Sequence, residues 1–243
     1  MIYTIAAEKG GTGKTATAAA LTQIAAHDGG RVLAVDLDPR GDLSYILEAD
    51  ATQPGSYELL HGAPARDLLQ HSPQGMDVIT ATRALNAEAT REASARRLAA
   101  ALAPIRDSYD YIFIDTPANG NELQLNALQA ADRLIIVLEA DRSSLQALYF
   151  MEQTAAQIKK SNPALEICGA IIGRYAKGNA VINNYLLEQI EQTAAGLHIP
   201  FLGAARDSSG AKEALNMAQS LIEYAPRTTT AADYKRIYNA ITK

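Results

Sequence analysis

Cysteine is nearly missing from this chain, and that scarcity removes several classes of protein at once. Cys168, alone among 243 residues, excludes an intramolecular disulfide and any metal or iron–sulfur centre built from several cysteines of one chain. A reducing, cytoplasmic setting is expected. Long apolar runs are also lacking: no stretch approaches the roughly 20 residues that a membrane-spanning helix requires. The first residues do not show the basic-then-apolar order of a signal peptide. No repeat, low-complexity tract or Pro/Gly/Ser linker interrupts the sequence, so one domain across 1–243 is expected.

Positive charge is in deficit as well. The chain carries 22 Lys+Arg against 27 Asp+Glu, a net charge of −5. Residues 1–140 hold 11 basic and 18 acidic side chains, whereas 141–243 hold 11 and 9. Tight, constitutive DNA binding is mainly phosphate neutralisation by Lys and Arg, so an acidic monomer is a poor candidate for it. A regulated basic face in the second half stays open. What the chain does have is apolar content, 48%, enough for a large core without disulfides.

Short β-type runs alternate with long helical ones, the signature of a parallel α/β sheet. Strands are expected at 2–7, 32–35, 76–79, 111–114, 134–138, 167–172 and around 199–202. They are short and rich in β-branched residues, as strands covered on both faces should be. Helices are expected at 15–26, closed by Gly29-Gly30, and at 87–103, 123–131, 144–160, 181–195, 212–218 and 231–241. The fold class is therefore α/β: a mostly parallel central sheet of seven to eight strands with helices on both faces. The segment 49–73, with Pro54-Gly55 and Pro64, reads as short helices and turns.

Between the first strand and first helix lies Glu8-Lys9-Gly10-Gly11-Thr12-Gly13-Lys14-Thr15, followed by Ala16. Glycines let consecutive backbone N–H groups curl around phosphate oxygens, and the helix behind them points its positive dipole end at the same anion. Lys14 would neutralise the β and γ phosphates of ATP, and the Thr15 hydroxyl would ligate Mg²⁺. The general P-loop pattern would place Gly at position 8, where this chain has Glu8. The loop instead resembles the deviant Walker A motif, K-G-G-x-G-K-[ST], of the ParA/MinD group of P-loop ATPases, with Lys9 as its extra lysine. The resemblance implies that Lys9 reaches the phosphates of a second subunit. A cation delivered in trans stabilises charge at the transferring phosphoryl group only when two ATP-bound subunits meet.

Two further segments carry carboxylates at strand ends, the rim where open α/β sheets bind ligands. Asp36-Leu37-Asp38-Pro39-Arg40-Gly41-Asp42 resembles the family's D-x-D-P-Q-G switch I, which implies that Asp38 orients the attacking water and that Asp36 sits nearer the metal. Arg40 departs from the family's Gln, and Asp42 from a small polar residue. Asp42 reads equally as a cap for the next helix. Asp115-Thr116-Pro117-Ala118, ending an apolar run, resembles switch II with Ala118 in place of a second Pro. Asp115 would then hold Mg²⁺ through water.

The resemblance covers nearly the whole chain, including Asn126-Ala127-Leu128 and Ala130-Ala131-Asp132-Arg133, and is closest to the small ParA/Soj type. It implies a weak Mg-ATPase that dimerises with ATP, binds nonspecific DNA as the dimer, and is stimulated by a ParB-like centromere-binding partner, in a nucleoid-associated location. Because the first expected strand starts at residue 2, no helix-turn-helix region is expected before it. Adenine contacts are implied for Arg174, Arg206 and Asp207, which read equally as surface salt-bridge partners. Phosphate contacts to DNA would come from Arg174, Lys177, Arg206, Lys212, Arg227, Lys235 and Arg236, each an ordinary solvated cation on the other reading. A MinD-like membrane, pole or cargo-positioning ATPase is the alternative. The last helix has a small apolar face with two tyrosines, so no stable membrane association is expected. An amidoligase-type enzyme is a third reading; Lys9 argues against it.

Overall fold

A computed structural model of the chain describes residues 1–87, 96–118, 122–175 and 180–242. Its first part runs β1 (Ile2–Ala6), α1 (Lys14–His27), β2 (Val32–Asp36), α2 (Asp42–Ile46), α3 (Ser56–Leu60), β3 (Gln70–His71) and β4 (Asp77–Ile79). The middle contains α4 (Arg97–Leu102), β5 (Tyr111–Asp115), α5 (Glu122–Ala130), β6 (Arg133–Leu138) and α6 (Ser143–Ile158). Then follow β7 (Glu166–Tyr175), α7 (Ala180–Gly196), β8 (Phe201–Arg206), α8 (Ser209–Asn216), α9 (Leu221–Tyr224) and α10 (Thr229–Ile241).

Every residue of β1 and β2 is buried, which forces them into the middle of a sheet covered on both sides. The eight strands lie in the order β3-β4-β2-β5-β1-β6-β7-β8, all pairings being parallel except β3 with β4. Side chains of β1 alternate between the two faces of the sheet, as period-2 geometry demands. Tyr3 and Ile5 face a core shared with Leu21 and Ile24 of α1 and Tyr234 and Ile237 of α10. Ile2 faces a second core under α4 and α5, and Ala6 a third under α6 and α7. Helices therefore cover both faces, as an α/β sheet of this kind requires. Chain connections leave β1 toward β2 on one side and pass from β5 over to β6 on the other. This reversal opens a crevice at the carboxyl end of β1.

Departures from the sequence expectations are local. The two-residue edge strand β3 was not anticipated, because a pair of residues shows no period. Strand β8 begins at Phe201 and extends to Arg206, well beyond the run expected at 199–202. Helix α8 starts at Ser209, three residues before the expected 212, because the Ser208 side chain accepts the Ala211 N–H and caps it there. The helix expected at 87–103 is seen as α4 and a preceding 3₁₀ turn, Arg83–Ala87; residues 88–95 lie outside the described residues. Among the described residues no helix is long and apolar enough to cross a membrane.

Candidate functional site

The glycine-rich loop leaves the buried end of β1 and enters α1 directly. Gly13 caps that helix at φ 95° and ψ 20°, a left-handed conformation that a side chain would strain. The resulting turn aims the first N–H groups of α1 outward, where no intrahelical acceptor exists for them. Thr12 Oγ1 is buried without a partner among the described residues. An anion seated on this loop would meet backbone donors, a helix dipole and the Lys14 ammonium together. Lys14 is 5% exposed, and its Nζ donates to the Lys9 carbonyl at 3.3 Å. Burial lowers its pKa, while Asp115 and Asp38 pull it back up.

β2 and β5 run parallel with Asp36 opposite Asp115, so two carboxylates stand side by side at the sheet's rim. Both are fully buried, but their surroundings differ. Asp36 accepts the Asp38 N–H at 3.0 Å, the Ser44 N–H at 2.8 Å and the Ser44 hydroxyl at 2.7 Å. Burial pushes its pKa up to about 7 in spite of these donors. Asp115 has no ordinary hydrogen bond to either oxygen among the described residues. Burial and the neighbouring Asp36 push its pKa well up, and Thr15 and Lys14 close by offset this only in part. A desolvated carboxylate with free lone pairs beside a hydroxyl is what a hard cation needs. Thr15 and Asp115 therefore fit Mg²⁺, which would neutralise phosphate charge. Asp36 is already committed to holding α2, which leaves it the weaker ligand of the expected pair.

Asp38 is 5% exposed and Arg40 lies directly over it, with Nη2 at 3.2 Å from Oδ2 and Nε at 3.4 Å from Oδ1. Asp42 does not cap α2, whose N-cap is Gly41; its carboxylate meets Arg40 at 3.4 Å. Lys9 is folded onto its own subunit, donating to Ser143 and, at 3.2 Å, to Asp141. Burial raises the Asp141 pKa, but Ser143, Ser144 and Lys9 outweigh it and hold the carboxyl below its ordinary range. Both partners are 41% exposed, so the pair is open to solvent and readily exchanged.

Beside the loop, a cavity of about 370 Å³ runs between α1 and α8, lined by Ala16, Gly173, Arg174, Asp207, Ser208 and Tyr234 among others. Arg174 donates to the Gly11 carbonyl at 3.4 Å, and Asp207 pairs with Lys212 at 3.0 Å. Arg206 is not in the lining. Its Nε and Nη2 donate to Asp233 of α10 at 2.8 and 2.9 Å, which turns the guanidinium away from the cavity. Sequence reasoning missed Gly173 and Tyr234. The Tyr234 hydroxyl, its pKa raised to about 12 by burial, donates to the Gly173 carbonyl at 3.3 Å and ties α10 to the loop's neighbour. A Cβ on Gly173 would lie 2.3 Å from the Thr12 carbonyl oxygen and 2.5 Å from Val137 Cγ1. Gly173→Ala should displace the loop and weaken ATP binding about tenfold, at the low end of the cost of overpacking. Isothermal titration of Mg-ATP measures it; unchanged affinity would show that the loop tolerates the contact.

The expected DNA-directed cations stand in several local settings around the cavity and along α10. Arg174 and Lys212 line the cavity, while Lys235 and Arg236 flank a shallow depression on α10 with Asn239. Arg236 also reaches Asp233 at 3.7 Å, and Arg227 is exposed. Lys177 lies outside the described residues.

Comparisons with known proteins decide the family. Residues 1–167 match a family model described as an AAA domain. The chromosome-partitioning ATPase Soj of Thermus thermophilus is 30% identical over 234 residues, covering 96% of this chain and 92% of that protein. The chromosome partitioning protein ParA of Caulobacter vibrioides is 37% identical over 191 residues, 74% of this chain and 72% of that one. The chain belongs to the ParA/MinD family of P-loop ATPases. An ATP complex of a variant of McdA from Cyanothece has the same fold, with a TM-score of 0.87 at 23% identity, covering 99% of this chain and 96% of that one. In this ParA/MinD-family chain, Lys14, Thr15, Asp38 and Asp115 converge from three separate segments on one rim, while the Lys9 side chain turns to Asp141 and Ser143. That arrangement suits binding of a nucleotide and Mg²⁺.

Proposed function

We propose that this chain is an Mg-ATPase of DNA partition, acting as one domain over residues 1–243. It would dimerise around ATP with Lys9 as the deviant Walker A lysine, bind nonspecific duplex DNA as the dimer, and dissociate when a ParB-like centromere-bound partner stimulates hydrolysis. The observation that carries this reading is the match to a chromosome-partitioning ATPase along 96% of the chain. The geometry supports the nucleotide part of it: Lys14 and Gly10 to Ala16 for the phosphates, Thr15 and Asp115 for Mg²⁺, and Asp38 for the attacking water. The base would occupy the cavity by Arg174 and Asp207. Such a protein would be cytoplasmic and nucleoid-associated.

The membrane- or pole-positioning alternative is less well supported. Ala231, Tyr234, Ile237, Tyr238 and Ile241 of α10 are buried in the core, and the Ile241 carbonyl accepts the Tyr3 hydroxyl at 3.0 Å. This helix has no apolar face left for a bilayer. Co-sedimentation tests the two readings directly. Binding to plasmid DNA should require ATP and fall steeply between 50 and 200 mM salt, by about 10³ if six phosphates are contacted. Binding to anionic liposomes should be absent. Equal DNA binding without nucleotide, or none at low salt with ATP, would count against partition.

A further inference from the structure

Both oxygens of Asp38 are held by a single residue. Arg40 donates its backbone N–H to Oδ1 at 3.1 Å, and its side-chain Nε and Nη2 to Oδ1 and Oδ2 at 3.4 and 3.2 Å. Among the described residues, no other group donates to this carboxylate. The Arg40 side chain is 64% exposed while that of Asp38 is 7% exposed, so a solvent-exposed guanidinium covers a sheltered acid from the solvent side. Asp42 Oδ2, 3.4 Å from the same Nη2, steadies the guanidinium from beyond.

A carboxylate that orients an attacking water must accept a hydrogen bond from it, and general-base assistance needs electron density on that oxygen. A guanidinium forked across both oxygens occupies the side-chain-facing lone pairs and withdraws density from them. We infer that Arg40 is a positioning residue that restrains ATP hydrolysis by clamping Asp38, so that turnover speeds up when it is displaced. This rests on the reading of Asp38 as the water-orienting group. The clamp is soft because most of the Arg40 side chain lies in solvent, where ion pairs are weak. It slows the reaction without abolishing it. A partner that draws the guanidinium away, by offering an acidic side chain or a phosphate, would release the restraint without touching the phosphate loop.

The test is steady-state ATP hydrolysis by the full chain, at protein concentrations where light scattering shows equal dimer, for the unmodified protein, Arg40→Gln, Arg40→Lys and Asp38→Ala. Arg40→Gln should raise kcat about two- to fivefold with KM for ATP unchanged, the range of an exposed ion pair. Arg40→Lys keeps the charge but cannot fork over both oxygens, and should fall between the two. A kcat that is unchanged or lower in Arg40→Gln overturns the restraint, a large fall showing that the guanidinium assists the phosphoryl group directly. A changed KM with constant kcat would show that Arg40 contacts nucleotide, and likewise overturns it. Asp38→Ala separates the two levels of the argument: if it hydrolyses normally, the reading of Asp38 fails, whereas if it is inactive and Arg40→Gln is not faster, only the clamp fails.

Discussion

Lys9→Ala should remain monomeric in Mg-ATP at concentrations where Asp38→Ala accumulates as dimer. On the proposed function the two residues would act at the same phosphates but in different steps. Removing Asp38 takes away the group that orients water, so nucleotide still binds and the dimer persists because the reaction that dissolves it is blocked. Removing Lys9 leaves two highly charged nucleotides facing each other with less neutralisation. A charge-assisted contact to phosphate contributes about 1.5–3 kcal/mol, and a two-fold symmetric interface loses two of them. The structure supplies the opposing term: to reach across, each Lys9 must leave Asp141 and Ser143 of its own subunit. That pair is 41% exposed on both sides, and a pair so solvated is worth at most about 1 kcal/mol. The net expectation is association weakened by about one to four orders of magnitude. Light scattering with ATP reads it, and a Lys9→Ala protein that dimerises like the unmodified one would make this an ordinary P-loop enzyme.

Asp115→Asn should weaken Mg-ATP binding about 10- to 100-fold and at the same time stabilise the nucleotide-free protein. The two effects share one cause. Asp115 is fully buried with no ordinary hydrogen bond to either oxygen among the described residues, beside a second buried carboxylate, Asp36. Such a group is costly until a cation arrives, because its charge is desolvated and only partly offset by Thr15 and Lys14. A neutral amide of the same shape removes that cost and also removes the ligand. In a chain of this size each kcal/mol gained shifts the melting temperature by about 2–4 °C. Melting with and without Mg-ATP should show a higher apo midpoint for Asp115→Asn and a smaller rise on adding nucleotide. A variant that melts earlier in the apo form and gains as much from Mg-ATP as the unmodified protein would remove Asp115 from the metal site.

The differing roles of Asp36 and Asp115 mark where sequence reading ran out. Both are acids ending apolar strands, and nothing local separates them. The difference lies in Ser44, eight residues on, which fills the lone pairs of Asp36 once α2 packs back on the sheet. Arg206 shows the same limit. Its place at the end of β8 suggested the nucleotide, but Asp233, 27 residues later, takes its guanidinium.

The sequence alone determined the α/β class, the sheet's parallel character, and the position of the glycine-rich loop between β1 and α1. These rest on contacts between near neighbours: strand period, helix caps, and glycines that must turn within a few residues. Only the tertiary structure decided what each charged group faces. Lys9 meets Asp141 across 132 residues, and Arg174 meets the loop carbonyl of Gly11 across 163. Gly173 has no side chain because β7 passes against Thr12, a steric demand with no local signature. Pairings at that separation depend on how the strands are ordered in the sheet, and strand order follows from packing both faces of the sheet at once rather than from any one segment.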